Sequence, residues 1–204
     1  MKKFLLTITV TVLLLTATIF VCGAGRPFEP AVQSCDILIV GGGTGGCAAA
    51  LQACAMAEEW DVSRIIMTEE TAWLGGQYTS QGVTASDDNS LVEQGRYTEA
   101  ASELFFRFHE GIRNLYRAKA LDTARKTTRT GKGDTAARRM EIAWVKGTKF
   151  SPGNAWGSRM SFLPKDGVKV LDDMLAPYVK RKLLAIHRAT IPVEVLKEGS
   201  TVTG

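Results

Sequence analysis

The run Cys35-Asp36-Ile37-Leu38-Ile39-Val40-Gly41-Gly42-Gly43-Thr44-Gly45-Gly46 turns from apolar to glycine within one residue. Ile37 to Val40 carry the continuous apolar pattern of a fully buried parallel strand. The alanine-rich segment Cys47 to Glu58 reads as a helix with small residues on its sheet side. Between them, Gly41, Gly43 and Gly46 fit G-x-G-x-x-G, with Gly42, Thr44 and Gly45 in the intervening places. The first glycine allows a sharp turn off the strand. The second leaves the backbone bare toward a pyrophosphate, and the third lets the helix lie close to the strand. The helix N-terminus then offers unpaired N–H groups and a positive dipole end to that anion.

A glycine turn alone is common in α/β domains, and its surroundings give it meaning. A second strand candidate, Arg64 to Thr68, ends in Glu69. A carboxylate roughly twenty residues past the glycines can accept hydrogen bonds from an adenosine ribose. Strand, glycines, helix, strand and acid in this order predict an α/β fold with a dinucleotide on its glycine turn.

Directly after the second strand comes Trp73-Leu74-Gly75-Gly76-Gln77-Tyr78-Thr79-Ser80-Gln81-Gly82-Val83. In this combination the chain resembles the FAD-dependent oxidoreductase family of the glutathione-reductase-like flavoprotein class. Pro152-Gly153-Asn154-Ala155-Trp156-Gly157-Ser158-Arg159 and Val170-Leu171-Asp172-Asp173-Met174-Leu175-Ala176-Pro177 also look like that family. The resemblance implies a Rossmann-like three-layer β/β/α FAD/NAD(P)-binding domain. It also implies FAD as cofactor and hydride transfer between a small-molecule substrate and the flavin. Its cofactor-binding residues would be Gly41, Gly42, Gly43, Thr44, Gly45, Gly46, Glu69, Gly75, Gly76 and Gln77. Gly75 and Gly76 can bring backbone close to a ligand, while Gln77, Ser80 and Gln81 offer amide and hydroxyl groups. In the family this segment approaches the pyrophosphate, the ribityl chain and the flavin ring.

Two other readings compete. An NAD-binding dehydrogenase would use the same fingerprint, but the Trp73 to Val83 stretch speaks against it. A truncated nucleotide-binding protein without turnover is the second. The flavin domain of this class closes with a later strand and a Gly-Asp turn. Gly133-Asp134 is preceded by no apolar strand and does not qualify. The chain is therefore expected to be the N-terminal part of the FAD-binding domain, incomplete at the C-terminus and inactive by itself. The catalytic residues are unknown: His109 and His187 stand outside any motif.

The first residues form a separate signal. Lys2 and Lys3 precede an uncharged apolar run, Phe4 to Val21, which ends in Cys22-Gly23-Ala24-Gly25. This is the pattern of a secretory signal peptide over residues 1–24, cleaved after Ala24. The alternative is an uncleaved membrane anchor, since the run is long enough to span a bilayer. Either reading places residues 25–204 outside the cytoplasm, secreted or periplasmic. Phe20 and Val21 are too bulky for a lipoprotein site at Cys22.

The net charge is +4, from 25 Lys and Arg against 21 Asp and Glu. Without Lys2 and Lys3 it is +2, which implies no nucleic-acid partner. Roughly 180 residues suffice for one core. No metal spacing or C-x-x-C occurs. Cys47 and Cys54 lie too far apart on one helix for a disulfide, and with Cys35, at the start of a buried strand, they read as small buried residues.

Residues 70–93 read as loop. Gln94 to Ala120 reads as a helix with Leu104, Phe105, Phe108, Ile112, Leu115 and Tyr116 on one face. His109 sits beside that face and reads as a surface histidine. Residues 113–149 hold eleven Lys and Arg against Asp122, Asp134 and Glu141, the pattern of a solvated face or insertion. Asp166 to Val179 reads as an amphipathic helix and Leu183 to Ile186 as a short strand. Ile191 to Leu196 and Ser200 to Thr203 read as a hairpin around Glu198-Gly199, with Pro192 at an edge or strand start.

Overall fold

The structure is a computed structural model that describes residues 32–83, 85–86, 88, 90–93, 101–129, 150–153 and 159–204. The chain divides into two units, Met1–Ser34 and Cys35–Gly204. Of the first, only residues 32–34 are described; they are exposed and irregular. The predicted signal over residues 1–24 lies outside the described residues, as do Gly133-Asp134 and the basic segment beyond Arg129.

Strands β1 (Ile37–Ile39), β2 (Ile65–Glu69) and β3 (Leu184–Arg188) form a parallel sheet in that order. Ile37 faces Ile65 and Ile65 faces Leu184 across the ladders. Parallel neighbours need crossovers. Helix α1 (Thr44–Ala55) supplies the first. Between β2 and β3 come α2 (Ser90–Glu93), α3 (Glu103–Arg129) and α4 (Pro164–Lys180). Alternate strand residues share a face. Ile37, Ile39, Ile65, Met67, Leu184 and Ile186 turn toward Cys47, Leu51 and Cys54 of α1 and Val170, Leu171 and Leu175 of α4. Helix α3 packs on α4, and its Gly111 is needed there, because a Cβ would run into the Val170 side chain at 2.5 Å.

The start of the sheet is held by one side chain. Asp36 accepts hydrogen bonds from Ser63 N–H (2.8 Å), Arg64 N–H (2.8 Å) and the Ser63 hydroxyl (2.9 Å). The two backbone donors, then the hydroxyl, hold its carboxyl below the usual range despite its exposure.

Several expectations are corrected. The strand read as fully buried is not: Leu38 is 53% and Val40 55% exposed. Among the described residues β1 stands at the edge of the sheet, and no described layer covers its second face. Only Ile66, on the central strand, is buried on that side. Cys35 precedes β1 and is half-buried. The helix expected from Cys47 begins at Thr44, because Thr44 to Gly46 form its first turn, and it ends at Ala55. The segment expected as loop contains a 3₁₀ turn at Gly76–Tyr78, helix α2 and a bridge from Ala85 to Ser161. The hairpin exists, but as β4 (Lys197–Glu198) and β5 (Thr201–Val202). Its ladder reaches back only to Leu196, which bonds Thr203 and Gly204. Pro192 has no N–H to donate, and residues 191–196 remain exposed without strand pairing.

His109 is not a surface residue: it is fully buried. Phe105 precedes it by one helical turn and Ile112 follows by another, so it lies on the buried stripe of α3. Asp88 comes within 3.6 Å of its Nδ1. Burial, then the nearby Arg113 charge, pushes the imidazole down to about 3.

Candidate functional site

The carboxyl ends of β1 and β2 lie side by side, so the glycine turn meets the end of β2. Gly41 N–H donates to the Thr68 hydroxyl at 3.3 Å, and Gly42 N–H donates to Glu69 Oε2 at 3.0 Å. The 74–79 segment closes onto the same turn. Gly75 N–H donates to the Gly42 carbonyl at 2.9 Å. The Thr44 hydroxyl donates to the Gly75 carbonyl at 3.3 Å, and the Cys47 thiol donates to the Gly42 carbonyl at 3.2 Å. Burial pushes that thiol up to about 12, so it stays a neutral donor. Buried Thr79 secures the far end by donating to the Leu74 carbonyl at 2.5 Å.

The glycines fall into two groups. Some positions have no room. A Cβ on Gly42 would lie 2.7 Å from Leu74 Cδ2 and 2.9 Å from Glu69 Cβ. One on Gly46 would collide with the Gly41 carbonyl, and one on Gly76 would sit 3.2 Å from Gly43 Cα. Other positions face open space: nothing lies within 4 Å of a Cβ on Gly41, Gly43 or Gly45. Gly41 also holds φ +93°, a conformation that favours glycine. The first group locks helix, strand and loop together. The second leaves backbone exposed at the N-terminus of α1.

That N-terminus is bare. Gly43 is its N-cap, no side chain caps it, and its first turn carries no acid. Beside it opens a cavity of about 260 Å³ lined by Gly41, Gly43, Glu69, Gly76, Ser80 and Thr190, among others. Pockets that enclose drug-sized ligands run to roughly 300–1,000 Å³. The cavity therefore suits one end of an extended dinucleotide. Uncapped N–H groups and space in place of side chains fit a pyrophosphate, and a carboxylate at the wall fits a ribose.

The expected ligands divide accordingly. Gly41, Gly43, Glu69 and Gly76 line the cavity. Gly42, Gly46 and Gly75 stand behind it as framework, Gly45 is exposed outside its lining, and the Thr44 side chain turns away toward Gly75. Gln77 is exposed and does not line the cavity; Ser80 and Gln81, on the same segment, do. Glu70, Thr190, Ile191 and Pro192 also line it and did not emerge from the sequence. The available signal was β3: a third parallel strand ends on the same side as β2. Thr190 N–H accordingly donates to the Glu69 carbonyl at 3.0 Å.

A second cavity, of about 130 Å³, lies among Cys47, Leu51, Phe105, Phe108 and Met174. Its lining carries no charged group, so the anion cradle is the better candidate.

Residues 36–204 match the FAD dependent oxidoreductase family. No curated protein matches the chain. Among solved structures, L-amino acid deaminase from Proteus myxofaciens in complex with anthranilate is similar at 14% identity and a TM-score of 0.33. That likeness covers 85% of this chain, and the chain spans 42% of the deaminase. The cofactor of the matched family is FAD, and the parallel sheet with its helices is part of a Rossmann-like FAD-binding domain. Matched over most of its length, this chain belongs to the FAD dependent oxidoreductase family.

Proposed function

We propose that the chain forms the adenosine- and pyrophosphate-binding part of an extracytoplasmic FAD-dependent oxidoreductase acting on a small molecule. One observation carries this reading: the open space at Gly43 lies between the uncapped N-terminus of α1 and the Glu69 carboxylate. When bound, the flavin supplies the redox chemistry by exchanging a hydride with substrate. The chain's own residues bind and orient. The N–H groups of the α1 first turn face the pyrophosphate, Glu69 takes the ribose hydroxyls, and Gly76 keeps the wall thin. Glu69 and Glu70 are the charged residues in the cavity lining, and neither is placed as a substrate acid or base. Binding without turnover is therefore the expected behaviour of the isolated 204-residue chain. The signal-peptide pattern read in the sequence of residues 1–24 supports a location outside the cytoplasm.

The test is a titration with FAD, followed by flavin fluorescence, on the chain and three variants. Gly43→Val should fold with unchanged melting temperature and lose binding, since its side chain points into the ligand's space. Glu69→Ala should weaken binding by about tenfold or more, the worth of a charged hydrogen bond of 1.5–3 kcal/mol. Glu70→Ala should leave it nearly unchanged. Binding retained by Gly43→Val, or lost equally in the two glutamate variants, refutes the assignment.

A further inference from the structure

The Glu69 carboxylate does not hold its own orientation. Thr71, two residues on, supplies two donors to Oε1: its N–H at 2.8 Å and its hydroxyl at 2.6 Å. The same hydroxyl oxygen accepts the Trp73 N–H at 3.1 Å and lies 2.9 Å from the Trp73 carbonyl. It therefore joins the carboxylate at the end of β2 to the turn that leads into Leu74, Gly75 and Gly76. Thr71's carbonyl is engaged too, accepting the Ala189 N–H at 3.1 Å from the exit of β3. With Gly42 N–H on Oε2, the carboxylate is fixed at three points. Four lone-pair sites are available on a carboxylate, so one remains on Oε2 for an incoming hydroxyl.

We propose that Thr71 is a positioning residue for ribose recognition: its hydroxyl aims the Glu69 carboxylate at the ribose diol and couples it to the Gly75-Gly76 loop. The proposal rests on the assignment of Glu69 to the adenosine ribose. Thr71 touches no part of the expected ligand and acts through Glu69.

The experiment compares ADP with its dideoxyribose analogue as ligands of the purified chain, by calorimetric titration, with thermal melting in parallel. The unmodified chain should prefer ADP. Thr71→Val, which keeps the shape and removes the donor, should weaken ADP binding on the order of tenfold. It should leave the analogue unchanged, so that the preference collapses. Thr71→Ser should restore the preference, and Thr71→Ala should behave as Thr71→Val does. If Thr71→Val lowers the affinity for both ligands equally, or keeps the preference, Thr71 serves only the fold and the proposal is overturned while the Glu69 assignment stands. If the unmodified chain shows no preference, or Glu69→Ala retains it, the ribose assignment itself fails and the proposal falls with it.

Discussion

The glycine cradle and the paired helices α3 and α4 are built on opposite terms. In the cradle, Gly41 to Gly46 and Leu74 to Thr79 are held largely by backbone hydrogen bonds, and the spacing is set by missing side chains. In the helical layer, Phe108, Ile112, Phe162, Val170, Leu171 and Leu175 fill the interior with side-chain volume. Tyr78 links the two: its ring stacks on Phe108 at 5.9 Å and meets Phe162 edge-on. The cradle is damaged by adding atoms and the helical layer chiefly by removing them, the tight Gly111 contact with Val170 excepted. Ligand geometry is thus kept apart from the packing that supplies most of the stability.

Exchanging those two insults tests the contrast. Leu175 is completely buried beneath the sheet. Leu175→Ala should lose about 2–5 kcal/mol in urea unfolding, while the folded protein keeps its FAD affinity. Gly46→Ala should lose about 1–3 kcal/mol, because its Cβ meets the Gly41 carbonyl, and should weaken FAD as well. Equal behaviour of the two variants toward FAD would erase the distinction.

His109 sharpens the helical side. The folded protein refuses a proton that the unfolded chain accepts near pH 6.5. Between about 6.5 and about 3 the unfolded state binds more protons, so stability falls as pH drops through that window. Asp88 and Arg113 flank the ring and pull in opposite directions, burial and Arg113 prevailing. The melting temperature should decline from pH 6.5 to 5, and His109→Gln, which cannot titrate, should flatten that part of the profile. An unchanged slope would mean that another group carries it.

The smallest effect concerns the thiols. Burial pushes Cys47 up to about 12 and Cys54 to about 11, whereas Cys35 lies half-buried before β1. Mass spectrometry after brief treatment with a thiol reagent at pH 8 should find Cys35 labelled first, with no loss of FAD binding. Early labelling of Cys47 would show that the helix–cradle junction opens readily.

What could be read in advance follows the same division. Gly41, Gly43 and Gly46 were legible because a backbone site must announce itself in glycine spacing. The stripe through Phe105, Phe108 and Ile112 was legible by helical period. His109 occupied that stripe, but its polarity argued against the period, and packing prevailed. The second face of β1 was misread because an apolar run does not disclose how many layers cover it. Gln77 was singled out by the family resemblance alone, which does not say which way a 3₁₀ turn points each side chain; Ser80 and Gln81 are the ones that line the cavity. Thr71 was silent for another reason: a threonine two residues beyond an acid becomes informative only once the local turn folds its hydroxyl back.

The Asp36 clamp has a consequence for assembly. A hairpin sets its strand alignment by its turn, but a parallel pair separated by a helix has no such device. Here Asp36 grips Ser63 at one end of β1, and Gly42 grips Glu69 at the other. Both contacts span 27 residues, so they report the same alignment independently. A slip of one residue would break both at once and turn Ile65 and Met67 out of the core. The carboxylate assigned to the ribose is therefore also a checkpoint for the fold. A nucleotide that engages Glu69 rewards the correctly aligned chain over every misaligned one, and by mass action proofreads the sheet on which it sits.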